Sequence, residues 1–377
     1  MKKIKILHSA DLHFDTPFKE VGEKQRKFSK EELKEVFMKI IYFCKEKSVD
    51  IFLLAGDIFD NFTLSKDTLY FIEKAFEEIK DTKVFISPGN HDPYMNTSFY
   101  KLIKWPENVH IFTSKIEKVY VDDLDVNVWG GAFVDKYVRR SMLDGFDGNS
   151  DKINLMVLHG EISSSSEGNE YNPITLSEIR ESGMDYIALG HRHGFSGINK
   201  EGYTYYAYSG NPQGRGFDEL GDKGIIYGFI SKGIVDLQFI KTSKRNYEEI
   251  KIDISNSFGY EEVKNIILTS IEEKERQKNL YKIILHGEIS GDFNIDERIL
   301  DEKLNSHFYY CKIVDKTSVK LNIEELSRGY SVKAIFAKKI QKMLEESSTE
   351  EEREVIKMAF KIGMSSLTEG EVNMDDY

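Results

Sequence analysis

Five short polar clusters, each directly behind an apolar run, constrain this chain more than any other feature. The apolar runs are Ile4–Leu7, Ile51–Ala55, Val84–Ser87, Leu155–Leu158 and Tyr186–Leu189. Each is short enough for a buried strand, and helical patterns lie between them, which is the signature of an α/β fold. Behind the runs come Asp11-Leu12-His13, Gly56-Asp57-Ile58-Phe59-Asp60, Gly89-Asn90-His91-Asp92, His159-Gly160 and Gly190-His191-Arg192-His193. In open α/β sheets the loops at the carboxyl ends of the strands face a common crevice, so the five clusters are expected to meet in space.

The intervening segments define the rest of the fold. Ser29 and Glu32 have the spacing of a capping box, and Leu33, Val36, Phe37, Ile40 and Ile41 follow at helical spacing. Leu69, Ile72, Ala75, Phe76 and Ile79 form a second amphipathic stripe. From about 115 to 133, and again from 203 to 240, the pattern is strand and turn without helices. The expected architecture is α/β (α+β), a two-sheet sandwich flanked by helices, over residues 1–242. Residues 243–322 read as a small α/β capping domain, with strands at 247–254 and 281–289, a helix near 259–278, a helix at 296–305 and a strand at 308–314. Residues 323–377 read as a helical partner-binding segment. There Val332, Ile335, Phe336, Ile340, Met343 and Leu344 line one helix. A second helix begins at Thr349, capped by Glu352, and carries Val355, Met358, Ala359 and Ile362 on one face.

Composition excludes several classes. The two cysteines, Cys44 and Cys311, are far apart and outside any CxxC pattern, so neither a disulfide framework nor a cysteine-based zinc site is expected. No stretch approaches the roughly 18 apolar residues that span a bilayer. The N-terminus reads as a strand rather than a signal peptide, because Asp11 and His13 arrive before any apolar core of a leader. A cytoplasmic protein without membrane association is expected. The net charge of −12 weighs against broad electrostatic binding to nucleic acid. Two divalent cations at the acidic clusters would offset part of it locally.

Carboxylate, imidazole and one amide oxygen make a mixed oxygen/nitrogen donor set, which suits manganese, iron or zinc better than calcium. Any one cluster carries little information; five in order, each after a strand, carry much more. With these motifs the sequence resembles the calcineurin-like metallophosphoesterase superfamily, whose pattern is DxH, GDxxD, GNH(D/E), H and GHxH. The resemblance implies two divalent metal ions, manganese first and iron or zinc as alternatives. It implies one ion held by Asp11, His13, Asp57 and His193. The second would be held by Asp57, Asn90, His159 and His191, with Asp57 shared. His91 would be the catalytic histidine outside the ligand set, with Asp92 as its orienting partner. Such an ion pair lowers the pKa of a shared water and clamps phosphate oxygens, so no side-chain nucleophile is needed. Imidazole titrates near neutrality, which suits His91 to neutralise the leaving oxygen. Asp60 reads as a supporting or helix-capping residue; His8 could support the site from behind, although a strand histidine is more often structural.

Within the superfamily, Leu7–Asp15 and Tyr208–Glu219 look like bacterial DNA-repair exonucleases of the SbcD and YhaO kind. That branch implies DNA as substrate, cut as an exonuclease and in some cases as a single-strand endonuclease. It also implies a capping domain, helices that bind an SbcC-like coiled-coil ABC-type ATPase, and a homodimer. Arg192, beside a ligand position, and Arg215, on a glycine-rich turn, are candidate substrate contacts. The competing reading is a phosphodiesterase or phosphatase acting on a nucleotide or other small phosphate ester, which suits the acidic surface better.

Overall fold

The computed structural model describes residues 3–60, 64–166, 168–290, 293, 295–320 and 327–369. The chain divides into one unit of residues 1–248 with 278–280, and another of 249–277 with 281–377. The domain boundary expected at 322 lies outside the described residues. No described helix is long and apolar enough to cross a membrane.

In the first unit, β1 (Ile4–Ser9), β2 (Ile51–Leu54), β3 (Lys83–Ile86) and β4 (Val109–Ile111) run parallel. The antiparallel strands β13 (Gly224–Ser231) and β14 (Ile234–Lys241) extend this sheet beyond β1. A second six-stranded sheet is centred on β7 (Ile153–His159) and β10 (Tyr186–Gly190). It adds β6 (Val126–Gly130) and β5 (Glu117–Val121) on one side, and β12 (Thr204–Tyr208) and β11 (Asn199–Glu201) on the other. A short parallel pair, β8 (Glu161–Ile162) and β9 (Pro173–Ile174), follows β7.

Alternating side chains explain the layering. Leu7, Phe52, Leu54, Val84 and Ile86 pack with Phe37, Ile40, Ile72 and Phe76 of α1 (Glu23–Lys47) and α2 (Lys66–Glu77). Their neighbours Ile6, Ile51, Leu53 and Phe85 meet Val128, Leu155, Val157 and Ala188 of the second sheet. The outer face of that sheet, with Met156, Leu158, Ile187 and Leu189, is covered by Ile179 of α3 (Leu176–Glu181) and by Leu143. Strands buried on both faces read as continuous apolar runs, which is why the sequence pattern was so plain. Each fully buried Leu, Ile or Phe contributes about 1.5–3 kcal/mol.

One local signal misled. Helix α1 starts at Glu23, upstream of the Ser29–Glu32 spacing, behind Gly22 with no side-chain cap. Glu32 instead accepts a 2.8 Å bond from Nε of Arg245, a residue 213 positions away. The Ser29–Glu32 spacing thus lies inside the helix, and its glutamate is held by a partly buried ion pair.

The second unit holds a three-stranded sheet in the order β15 (Tyr247–Asp253), β16 (Leu280–Ser290), β17 (Tyr310–Lys320). The single helix expected near 259–278 is two, α4 (Tyr260–Ser270) and α5 (Glu273–Lys278), because Ile271 takes an extended conformation between them. With α6 (Glu297–Leu304) they supply Val263, Ile267 and Leu300 to a core shared with Ile283, Leu285 and Ile313. Helices α7 (Val332–Glu346) and α8 (Glu350–Glu369) form a hairpin around Ala337, Ile340, Ile356, Phe360 and Met364. Thr349 and Glu352 cap α8 reciprocally, with bonds of 3.2 and 3.3 Å. The expected apolar stripes split, however. Phe336, Ile340 and Leu344 lie inside the hairpin, whereas Val332, Ile335, Met343, Val355 and Met358 are exposed.

Candidate metal centre

The clusters behind β1, β2, β3, β7 and β10 converge, and their backbones are tied together before any side chain acts. The loops after β1 and β2 zip through Asp11 N to Gly56 O (3.0 Å), His13 N to Asp57 O (2.9 Å) and Phe14 N to Ile58 O (2.8 Å). Asp11, His13, Asp57 and His191 all have positive φ, at 53°, 47°, 51° and 107°. Each such residue costs about 1–3 kcal/mol and persists only where its surroundings over-determine it. Gly190 permits the closest approach: a Cβ there would sit 1.8 Å from the Ala55 carbonyl oxygen. A Cβ on Gly89 would likewise meet Asp57 Oδ1 at 2.3 Å.

The side chains of Asp11, His13, Asp57 and His159 are buried. One ligand atom from each of Asp11, His13 and His193 lies within 4.8 Å of the other two, and the same holds for Asp11, Asp57 and His159. Asp57 stands between the groups, with Oδ2 at 3.6 Å from His13 Nε2 and 3.4 Å from His159 Nε2. Asn90 Oδ1 is 2.9 Å from His159 Nε2. The His191 ring packs edge-on to His159 at 5.3 Å, and its backbone N–H donates to Asp11. All seven residues expected to hold metal are thus brought together.

Two observations test whether a cation fits. His159 Nδ1 lies 2.9 Å from the Ala55 carbonyl, which only accepts, so the ring proton belongs there. In the neutral ring Nε2 then carries the lone pair, and it faces the oxygens of Asn90 and Asp57. Three electron-rich atoms facing one another repel unless a cation lies among them. In addition, both ring nitrogens of buried His13 lack a hydrogen-bond partner among the described residues. An unpaired buried polar group is expensive, and ligation satisfies it. Burial, helped by the positive charge of Arg215, lowers the His13 pKa to about 4; burial and His159 lower that of His191 to about 3. Both rings are therefore neutral at physiological pH and keep a lone pair to donate. The donors fit a metal pair.

The structure departs from the sequence reading at Asp92. Its Oδ1 accepts from Gly89 N (2.7 Å) and Asp57 N (3.2 Å). Its Oδ2 accepts from Ile58 N (2.7 Å), Phe59 N (3.2 Å) and Tyr100 Oη (2.7 Å). This carboxylate fastens two ligand-bearing loops to each other. The carboxylate against the His91 ring is that of Asp60, 3.1 Å from Nδ1 and 3.5 Å from His13 Nδ1. Burial acts most strongly, to lower the His91 pKa, but the Asp60 contact and the charges of Asp57, Asp60 and Asp92 together outweigh it and the net shift is upward. The spacing Gly56-Asp57-Ile58-Phe59-Asp60 carried the signal for this role. Adjacency in the chain favours Asp92 instead.

His8 is buried against Tyr186 Oη (2.8 Å) and the Leu189 carbonyl (3.2 Å), a structural position as expected. Asp15 accepts from the backbone N–H of Ser65 at 2.9 Å. Arg192 is exposed, 3.4 Å from Glu161, with its guanidinium over the Tyr208 ring. Arg215 is far less accessible; it is held by Glu219 and lies 3.1 Å from His193 Nδ1. Glu219 itself, 2.8 Å from His193 Nδ1, was missed as a site residue.

A two-sheet sandwich with a His/Asp/Asn cluster at its strand ends defines a metal-dependent phosphoesterase. Residues 4–195 match the calcineurin-like phosphoesterase family, and the chain belongs to it. It is 29% identical over 262 residues to the uncharacterized metallophosphoesterase YhaO of Bacillus subtilis (strain 168), covering 67% of this chain and 64% of that protein. It is 24% identical over 251 residues to the SbcD component of the nuclease SbcCD of Staphylococcus epidermidis, covering 58% and 63%. The DNA double-strand break repair protein Mre11 of Saccharolobus solfataricus is 22% identical over 307 residues, covering 77% and 76%. The chain therefore spans less than two thirds of the length of the first two relatives. These relatives fit the SbcD/YhaO-like branch. The solved structure of TT1561 of Thermus thermophilus aligns over 63% of this chain and 99% of its own, at 10% identity and a TM-score of 0.40. The family and the His/Asp clusters point to a dinuclear divalent-metal site.

Proposed function

We propose that this protein hydrolyses phosphodiester bonds in DNA, as an exonuclease that also opens single strands internally, with manganese as its metal. The observation that carries the reading is the convergence of donor atoms around Asp57 Oδ2, with His159 Nε2 at 3.4 Å and His13 Nε2 at 3.6 Å, and with Asn90 Oδ1 2.9 Å from His159 Nε2. One ion is assigned to Asp11, His13, Asp57 and His193, the other to Asp57, Asn90, His159 and His191. Bound ions supply Lewis acidity for the phosphate and an activated water. The chain's own contribution is proton handling and grip. With Asp60 on Nδ1, His91 presents Nε2 to the leaving oxygen, and the carboxylates around the ring favour the charged form that can donate there. Arg192, exposed beside the centre, is the more accessible phosphate contact; Arg215 is the second candidate.

DNA as substrate is supported by the relatives named as nuclease and break-repair proteins. The same relatives support an SbcC-like coiled-coil ATPase partner and a homodimer. The ATPase is assigned to the face carrying Val332, Ile335, Met343, Val355 and Met358. Such a partner would also supply the basic DNA grip that a chain of net charge −12 lacks. That charge is also the one observation favouring a second reading, hydrolysis of a nucleotide or other small phosphate ester.

The deciding experiment offers end-labelled duplex DNA, single strands and bis-p-nitrophenyl phosphate to the manganese-loaded protein and to His91→Ala. Stepwise DNA shortening that disappears in the variant is the expected result. Cleavage of the small diester without any DNA cutting, even with the ATPase added, would replace the DNA reading with the small-ester one.

A further inference from the structure

We infer that Glu219 is the positioning residue that fixes His193 as a metal ligand. This inference rests on the dinuclear reading above, and Glu219 itself lies outside residues 4–195, where the family match ends. Glu219 sits on the turn after β12, its side chain 3% exposed, with both carboxylate oxygens engaged. Oε1 faces His193 Nδ1 at 2.8 Å and takes Arg215 Nε at 3.0 Å. Oε2 takes Asn211 Nδ2 at 2.6 Å and the backbone N–H of Arg215 at 2.8 Å.

Two neighbours compete for His193. A carboxylate only accepts, so at Nδ1 it selects the tautomer with the proton on that nitrogen and leaves the lone pair on Nε2. A guanidinium only donates, and Arg215 Nη2 lies 3.1 Å from Nδ1 and 3.4 Å from Nε2. Left to Arg215, the ring would offer its lone pair to the guanidinium and present N–H, or nothing, to a cation. Glu219 settles the contest twice over. It accepts a hydrogen bond from Nδ1–H, and it holds Arg215 by Nε and Nη2, which turns those two donors toward the carboxylate. The Lys223 ammonium fixes the same residue from behind through the His193 carbonyl, at 2.9 Å. A ligand histidine whose other nitrogen donates to a carboxylate gains both orientation and basicity.

The test is Glu219→Gln, which keeps the shape but can turn an amide N–H toward Nδ1. Manganese binding is followed by the electron paramagnetic resonance of the free ion, and the His193 tautomer by long-range proton–nitrogen correlation on metal-free protein. Thr242→Val serves as a control: it removes the 2.8 Å hydroxyl bond to the Pro212 carbonyl and loosens the same turn without touching Glu219, Arg215 or His193. Expected are a roughly 10–100-fold weaker affinity for one manganese equivalent in Glu219→Gln, a shift of His193 away from the Nδ1–H form, and wild-type affinity in Thr242→Val. Unchanged manganese affinity in Glu219→Gln overturns the inference, and so does an equal loss in Thr242→Val, which would make the effect one of loop order. Wild-type protein that binds no manganese would instead overturn the dinuclear reading itself.

Discussion

The strand-end loops of the first unit and the α7–α8 hairpin of the second break the same rule in opposite directions. The loops bury His13, Asp57 and His159, polar groups that water would otherwise solvate. The hairpin leaves Val332, Ile335 and Val355 largely exposed, apolar groups that a core would otherwise take up. Each violation is unstable alone and implies something that completes it. For the loops the complement must be cationic, because lone pairs face one another. For the hairpin it must be apolar and extended, because the exposed residues recur along one face of each helix. A buried polar site is thus a prediction about a ligand, and an exposed apolar stripe is a prediction about a partner.

The largest effect should come from Asp57, the residue both metal groups share. Asp57→Asn keeps an oxygen for the His91 backbone N–H but removes the charge between His13 and His159. Metal-dependent hydrolysis of bis-p-nitrophenyl phosphate should fall to background, while the metal-free variant melts no lower than metal-free wild type. If hydrolysis survives, the buried polar cluster is structural and the comparison collapses.

Next comes the pair of carboxylates near His91. Asp60→Asn should lower kcat by about 10²–10⁴-fold, the usual span for general acid–base help, while the unfolding free energy stays close to that of wild type. Asp92→Asn should act differently, because that carboxylate holds four backbone N–H groups and the Tyr100 hydroxyl. Its cost should be stability, about 1–3 kcal/mol by denaturant unfolding for each donor left unsatisfied in the interior. Identical behaviour of the two variants would erase the distinction drawn between them.

That pair also marks where the sequence was legible and where it was not. The central strands and the convergence of the five clusters could be read because two-sided burial writes continuous apolar runs and the site residues follow each run directly. Which carboxylate serves His91 could not be read. Asp92 is adjacent in the chain, but strand-end geometry brings Asp60 to the ring from another loop. Glu219 was hidden for the same reason, reaching His193 from a distant turn with no metal-like motif. The Ser29–Glu32 spacing lies inside α1 and starts no helix, with its glutamate held by Arg245. Local signals were overridden wherever a buried charge found a distant partner.

A smaller effect sharpens what counts as an incomplete polar group. His8 is as buried as His13, yet both of its nitrogens are engaged, by Tyr186 Oη and the Leu189 carbonyl. It should belong to the fold and not to the metal. Burial, partly offset by the Leu189 bond, lowers its pKa from 6.5 to about 3. An unfolded histidine takes up a proton near pH 6.5, so below that pH the unfolded chain binds more protons than the folded one. The contribution of His8 is therefore complete above pH 6.5 and is lost as pH falls toward 3, by up to ~1.4 kcal/mol per pH unit. His8→Gln should flatten unfolding free energy against pH between 6 and 4 by about that slope and leave manganese affinity unchanged. An altered manganese affinity would place His8 with the site residues after all.

The smallest effect on the isolated protein is the most informative about the hairpin. Ile335 and Ile340 lie on the same helix, the first 63% exposed and the second 4%. Ile340→Ala opens the hairpin core and should cost about 2–5 kcal/mol. Ile335→Glu changes an exposed position and should stay within about 0.5 kcal/mol, since solvent already surrounds the side chain. Its consequence should appear only when the partner is present: a carboxylate would be buried unpaired in an apolar contact, and co-purification with the coiled-coil ATPase should be lost. If Ile335→Glu binds the ATPase as wild type does, that face is not where the partner sits. If Ile335→Glu destabilises the free chain as much as Ile340→Ala, the stripe belongs to the fold, and the symmetry between buried polar loops and exposed apolar helices is not real.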